Sequence, residues 1–480
     1  MALCGATFII GIDTTVVGVA LPAIGRSLGA DDASLTGVVI GYTITFGSLM
    51  LAAGHLGDRF GHRRLFMLGV SVFGLSSLVC GLASLTWELE AARLVQGASA
   101  ALLNASALAL INLGFHGAAH RRAFGVWGAI MGSSFALGPV LGGLLVDGAG
   151  WRSLFLINVP LCLLIAGVVA RSAPPTSPNP EHRLDLAGQS CISAFFALGL
   201  GALVLWQSRL GGAAVPVLCG VAALIALAGF LVIDGRRPGL LDPRMFRHRP
   251  TVAITIFPVA FSVAFWALLI MLPRYYQDSL SMSPAQAGLA MLPLTAGLTF
   301  APMLTSKVTA RMSPRAILGW SSVGLLIADL ALAATVGSGY GLLVPGLVVG
   351  GLASGMMNPE VARTALRVMA SGRSGVASGL TSTMRQIGFG LGVAGFSLLA
   401  GQLIDARAMT TIFGVAAGAA LLCVLLAALT SATLDEPDAD SPTEAHPRPL
   451  RRQRKRAPPG DNRLPDEPWS SSTASGSTTA

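Results

Sequence analysis

Apolar runs about the length of a lipid-crossing helix recur along the chain as far as residue 433, separated by short polar breaks. A bilayer-spanning helix needs roughly 20 mainly apolar residues. Fourteen runs meet that need, near 2–24, 34–56, 65–85, 87–113, 123–146, 152–170, 186–207, 213–233, 251–273, 286–306, 316–336, 341–362, 375–400 and 411–433. They predict an all-α polytopic membrane protein with fourteen transmembrane helices. Past 433 the pattern stops, and residues 434–480, rich in Pro, Ser, Thr, Asp and Arg, read as a disordered tail. The first run lacks a basic leader and contains Asp13 and Pro22, so it reads as a spanning helix and not a signal peptide. It begins almost at Met1, an abrupt start that suggests a short basic arm before it.

Composition agrees. A soluble chain of 480 residues would suggest two to four domains, but 53% of the residues are hydrophobic and only 11% charged. Mean hydropathy is +0.69. Such a chain has lipid as its solvent. The net charge of +9 would suggest nucleic acid in a soluble protein, whereas here it sets orientation, and no nucleic-acid partner is expected. One set of loops holds eighteen Lys and Arg residues and the other set five. The richer side is expected to be cytoplasmic, and an even helix count then puts both termini inside a multi-pass cell (inner or plasma) membrane protein. The polybasic stretch 450–456 either keeps the tail inside or touches anionic lipid.

Much chemistry is missing from the pattern. The six cysteines lie in apolar runs without a CxxC pair, and the seven histidines fall in or beside loops. Neither arrangement suggests a metal site, and no catalytic residues are expected. Lys307 and Lys455 are the only lysines and neither sits in a phosphate-binding loop. No cofactor is expected; a proton gradient is the implied driving force.

Charges inside a membrane are costly and usually functional. The clear cases are Asp13, Glu90, Arg93, Asp329 and Arg385. At 1.5 Å per residue, Asp13 lies ~16 Å from the inner face and Arg93 ~9 Å below the outer one, so they differ in depth by only about 5 Å and can pair. Asp13 is then a candidate for proton exchange, its affinity raised by burial and lowered by the arginine. The alternative is a fixed pair that only holds two helices together. Asp329 is a second proton or cation site, or faces a watery cavity. Arg385 pairs with an acid or stays close to a cytoplasmic vestibule.

The run Gly138-Pro139-Val140-Leu141-Gly142-Gly143 combines close-packing residues with a bend, a possible rocking surface between two halves. More specific is the loop Gly54-His55-Leu56-Gly57-Asp58-Arg59-Phe60-Gly61-His62-Arg63-Arg64, with one acid among arginines and glycines that permit a tight turn. It resembles the signature between helices 2 and 3 of the major facilitator superfamily. Ile12-Asp13-Thr14-Thr15 through Pro22, Arg93-Leu94-Val95-Gln96-Gly97, the Gly138-Pro139 and Gly142-Gly143 motif, Trp151-Arg152, Asn158-Val159-Pro160 and Arg385-Gln386-Ile387-Gly388 are similar to its fourteen-helix drug:proton antiporters, the EmrB/QacA-like group.

The resemblance implies two six-helix bundles, 1–170 and 251–433, joined by 171–250 with two extra central helices. It implies that Asp13 and Arg93 couple protons. Gly54, Asp58, Arg59, Gly61, Arg63 and Arg64 would form a gating loop, with Asp58 docked on a helix N-terminus near Ser374 and Gly375. The implied activity is proton-driven export of small hydrophobic or amphipathic compounds. A same-fold exporter dedicated to one metabolite or self-made antibiotic is the alternative, and a non-transporting membrane receptor or a membrane enzyme is disfavoured. The need for a periplasmic adaptor is left open. Candidate cavity residues are Tyr42, Phe46, Asn104, Trp127, Phe261, Phe265 and Trp266, although the aromatic ones can equally face lipid. Gly18, Ser99, Asn104 and Ala105 depart from the group pattern; Ser99 and Asn104 make the fourth helix more polar, which argues against the group's lipophilic-cation substrates.

Overall fold

The computed structural model describes residues 2–115, 117–172, 186–208, 212–236, 246–308, 312–368, 374–401 and 404–430. The expected tail, 434–480, lies outside them. The first part of the chain builds α1 (Ala2–Leu28), α2 (Asp32–Phe60), α3 (His62–Leu82), α4 (Thr86–Gly114), α5 (Gly117–Ala149), α6 (Ser153–Leu156) and α7 (Asn158–Ser172). Next come α8 (Leu186–Ser208) and α9 (Ala214–Arg236). The rest forms α10 (Arg249–Phe261), a π turn (Ser262–Trp266), α11 (Leu268–Asp278), α12 (Pro284–Ala290), α13 (Leu292–Val308), α14 (Pro314–Thr335), α15 (Tyr340–Val368), α16 (Ser374–Ala400) and α17 (Ala406–Leu429).

Local chemistry sets the helix ends. Asp31 accepts from the Ser34 amide at 3.0 Å and Asp405 from the Ala408 amide at 2.7 Å, each capping the helix that follows. Ser283 and Gln286 form a reciprocal capping box at the start of α12. Gly61 ends α2 and opens α3 with φ +93°, a conformation that strains any residue with a Cβ.

Among the described residues, twelve helical spans are long and apolar enough to cross a membrane. The expected count of fourteen is therefore not reached on that measure. The two missing runs are helical; one is built from α12 and α13 and includes Pro293 and the polar Gln286. The other, α16, carries Arg385-Gln386 near its middle, which lowers its apolarity. Outward-facing Leu75, Leu163, Leu224 and Trp320 are 63–70% exposed, as suits a surface covered by lipid.

Packing follows the chain. In the first part α1 lies on α5, α2 on α4, and α3 on α4 and α7; in the last part α13 lies on α15, α14 on α15 and α17, and α10 on α17. Helices α8 and α9 pack on each other, and α8 also touches α2 and α16. The two parts meet along α1 with α11, α5 with α12 and α13, and α2 with α16.

They are tied together at the end that carries the 279–283 turn. Arg274 Nη2 donates to Asp32 Oδ1 at 2.7 Å, and Gln277 Nε2 donates to the Val19 carbonyl at 2.9 Å. Asp147 Oδ2 accepts from Ser283 Oγ at 2.7 Å and from the Ala285 amide at 3.0 Å. Asp147→Ala removes an exposed cap of α12, a loss of about 1 kcal/mol and so about fivefold in the population closed at this end. In a variant lacking the native cysteines, Val19→Cys should then react about fivefold faster with a thiol reagent. An unchanged rate would show that this contact adds nothing to closure.

Candidate functional site

Four helices converge on Asp13. Its carboxylate is fully buried, and Arg93 Nη1 of α4 donates to Oδ2 at 2.5 Å. Gln96, one turn along the same face of α4, donates through Nε2 to Asp13 Oδ1 at 3.1 Å and to Ser77 Oγ of α3 at 2.7 Å. Its Oε1 accepts from Arg93 Nη1 at 2.7 Å. Asn158, the first residue of α7, adds an Nδ2 contact to Asp13 Oδ1 at 3.4 Å. It sits where the chain breaks at Ile157 between α6 and α7, which frees its amide to reach inward.

Arg93 is equally enclosed. Its Nε donates to the Val38 carbonyl at 3.2 Å, and its guanidinium lies 4.3 Å from the Tyr42 ring centroid and 5.9 Å from that of Phe155. These are the contacts a buried charge pair needs to persist in lipid. They also form a connected hydrogen-bonded set around one carboxyl.

A cavity lies on the other side of α1, between the two parts of the chain. Thr7, Ile10, Gly11, Thr14 and Thr15 of α1 form one wall. Phe46, Asn104, Met131 and Phe135 continue it, and Trp266, Leu269, Ile270, Arg385, Gln386 and Phe389 face them. The π turn brings Trp266 to this wall, with its ring edge-on to Phe135 at 4.7 Å between centroids. An inserted residue of this kind shifts the helical phase and often marks a functional position.

Of the expected cavity residues, Phe46, Asn104 and Trp266 line this space. Tyr42 instead packs under Arg93. Phe261 and Phe265 are 2% and 1% exposed and stack on each other at 6.0 Å, inside the core. Trp127 donates to Oγ1 of the lining residue Thr7 at 2.9 Å. Met131, Phe135, Gln386 and Phe389 were not foreseen.

The two further charges are not brought together. Asp329 is 1% exposed within α14, and its Oδ2 has no hydrogen-bond partner among the described residues. Arg385 lies at the cavity with no ion pair among the described residues.

The expected loop 54–64 is instead helical on both sides of Gly61, the end of α2 and the start of α3; within it Asp58 Oδ1 meets His62 Nε2 at 3.0 Å, and Arg63 Nη2 donates to the Ala170 carbonyl at 2.7 Å. Arg59 lies over the Phe60 ring, Arg64 is exposed, and Gly54 has open space beside it. The side chains of the expected docking partners, Ser374 and Gly375, lie outside the described residues.

In the motif on α5, Gly138 and Gly142 abut Thr15 and Val16 of α1, while Gly143 abuts the Pro284 carbonyl. Conversely, a Cβ on Gly288 of α12 would collide with the Pro139 carbonyl. The motif is thus a site of backbone-to-backbone approach between the two parts of the chain.

Comparison with known proteins points the same way. The chain is 34% identical over 409 residues to the "Cephamycin export protein CmcT" of Amycolatopsis lactamdurans, covering 82% of each. It is 30% identical over 423 residues to the "Probable actinorhodin transporter" of Streptomyces coelicolor, 85% of this chain and 73% of that one. It is 31% identical over 395 residues to "Multidrug resistance protein Stp" of Mycobacterium tuberculosis, 81% of this chain and 72% of that one. The sequence pattern of the Major Facilitator Superfamily matches residues 3–393, and with a buried charge cluster, a cavity between two helical halves and relatives of this kind, the chain belongs to that superfamily of membrane transporters.

Proposed function

We propose that this protein is a proton-coupled antiporter that exports small hydrophobic or amphipathic compounds, antibiotics among them, by alternating access. The observation that carries the reading is the fully buried Asp13–Arg93 pair on the opposite side of α1 from the cavity. A carboxyl in that setting can hold a proton in one arrangement of its neighbours and release it in another. Movement of α1 as the cavity fills or empties would link the two events. The names of the relatives supply the class of cargo.

In this reading the chain crosses the plasma membrane fourteen times. Helices α12–α13 and α16 complete the count, and residues 1–170 and 251–433 are the two six-helix bundles, joined through 171–250. Both termini then lie on the arginine-rich, cytoplasmic side, and the tied end at 279–283 faces outward. The 54–64 loop acts as the gate on the inner side, with Asp58 as its acid. Asp329 is a reserve site for a second proton. The narrower reading, an exporter dedicated to one metabolite, is favoured by two relatives whose names carry a single compound. A binding screen separates one ligand from many.

The test is reconstitution in sealed vesicles with an imposed pH difference and a pH-sensitive dye inside. Addition of a transported compound should produce a proton flux opposite to that of the compound. Accumulation that persists after an uncoupler collapses the gradient would remove the antiport reading.

A further inference from the structure

The cavity is asymmetric in charge. Among its lining residues Arg385 is the one charged side chain, and the amides Gln386 and Asn104 and the aromatic rings of Phe135, Trp266 and Phe389 line the same space. No described acid lines the space. The nearest functional acid by sequence argument, Asp13, has a side chain with 0% exposure and is committed to Arg93. Asp329 is buried elsewhere and makes no ion pair with Arg385 among the described residues. A guanidinium at membrane depth without a counter-charge is costly, and the cost falls when an anion enters beside it. A lipophilic cation entering the same space would meet a like charge.

We propose that the cavity selects substrates that bear a carboxylate on an aromatic or polycyclic body, with Arg385 as the counter-charge. The inference deepens the export reading above and rests on it for the identity of the cavity. The planar fork of a guanidinium matches a carboxylate in a two-point hydrogen bond, which a point charge does not. Gln386 and Asn104 supply further polar groups for the rim of the anion. Phe135, Trp266 and Phe389 supply flat apolar walls for the ring system. Asn104, whose Nδ2 meets the weak acceptor Met50 Sδ at 3.7 Å, is the second amide available to the anion.

The test is binding to the purified full chain in lipid nanodiscs, read by titration calorimetry with 2-naphthoate and its neutral methyl ester. Wild type should bind the acid about 10- to 100-fold more tightly than the ester, the worth of one charge-assisted contact. R385Q should bring the ratio to near one while leaving ester binding unchanged, and R385K should keep part of the preference. A wild-type ratio near one, or an equal loss of acid and ester in R385Q, would overturn the assignment. Should R385Q fail to fold, the wild-type ratio and R385K decide. Binding is read without a gradient, so a transporter that proves not to use protons leaves this result intact. A ratio near one removes the anion site without touching export.

Discussion

Asp13→Asn should abolish proton-driven export, lowering substrate efflux by at least a hundredfold in vesicles where the protein inserts normally. The asparagine keeps the size and one acceptor oxygen of the carboxylate, turns the other into a donor that faces a donor, and cannot take up or release a proton. It also leaves Arg93 buried without its counter-charge, and breaking a buried pair on one side costs about 3–5 kcal/mol in soluble proteins. Loss of activity alone is therefore ambiguous, and the double variant Asp13→Asn/Arg93→Gln resolves it. Removing both charges relieves the unpaired arginine, so thermal stability should return toward wild type while export stays absent. If the double variant exports in a gradient-dependent way, the pair is only a clasp between α1 and α4 and the proton is carried elsewhere, with Asp329 the first place to look.

Gly143→Leu should have the second largest effect, at least a tenfold loss of export with the protein still folded and inserted. The position has no room for a Cβ, because the Pro284 carbonyl of α12 occupies that space, and Gly288 is matched in the same way to the Pro139 carbonyl of α5. Both contacts join one part of the chain to the other, so a side chain there opposes closure of that end and leaves each part's own packing intact. The accompanying signature is raised reactivity of Val19→Cys, a position with 0% exposure in the closed arrangement. Wild-type export together with an unreactive Val19→Cys would mean that the crossing can spread without consequence.

Much of the Asp13–Arg93 cluster is legible in the sequence, because an acid and an arginine inside apolar runs carry a penalty that only function or pairing offsets. Their depths match by helical rise alone. Gln96 and Asn158 were visible as letters in motifs, but an uncharged amide announces no such penalty, and its role appears only when α3, α4 and α7 are seen to meet at Asp13. The cavity was harder to read. A helix apolar on all sides gives no periodic hint of which face meets lipid, core or cargo. Tyr42, Phe261 and Phe265 were therefore indistinguishable from Phe46 and Trp266. The π turn at Ser262–Trp266 adds a phase shift that no regular spacing predicts. The count of spans suffered from polar residues inside crossing segments, the Arg385-Gln386 pair of α16 among them.

The position of α1 has a consequence for how such a protein can diversify. Asp13 points to one side of this helix, while Thr7, Ile10, Gly11 and Thr14 look to the other. In the antiport reading proposed above, fuel and cargo are handled by opposite faces of a single rod. Positions 7, 10, 11 and 14 can drift, and with them the repertoire of compounds recognised, while position 13 and its amide neighbours stay fixed. A lineage with this layout can acquire resistance to a new toxin without rebuilding its engine, and directed evolution of its specificity has a short, well-separated set of codons to vary.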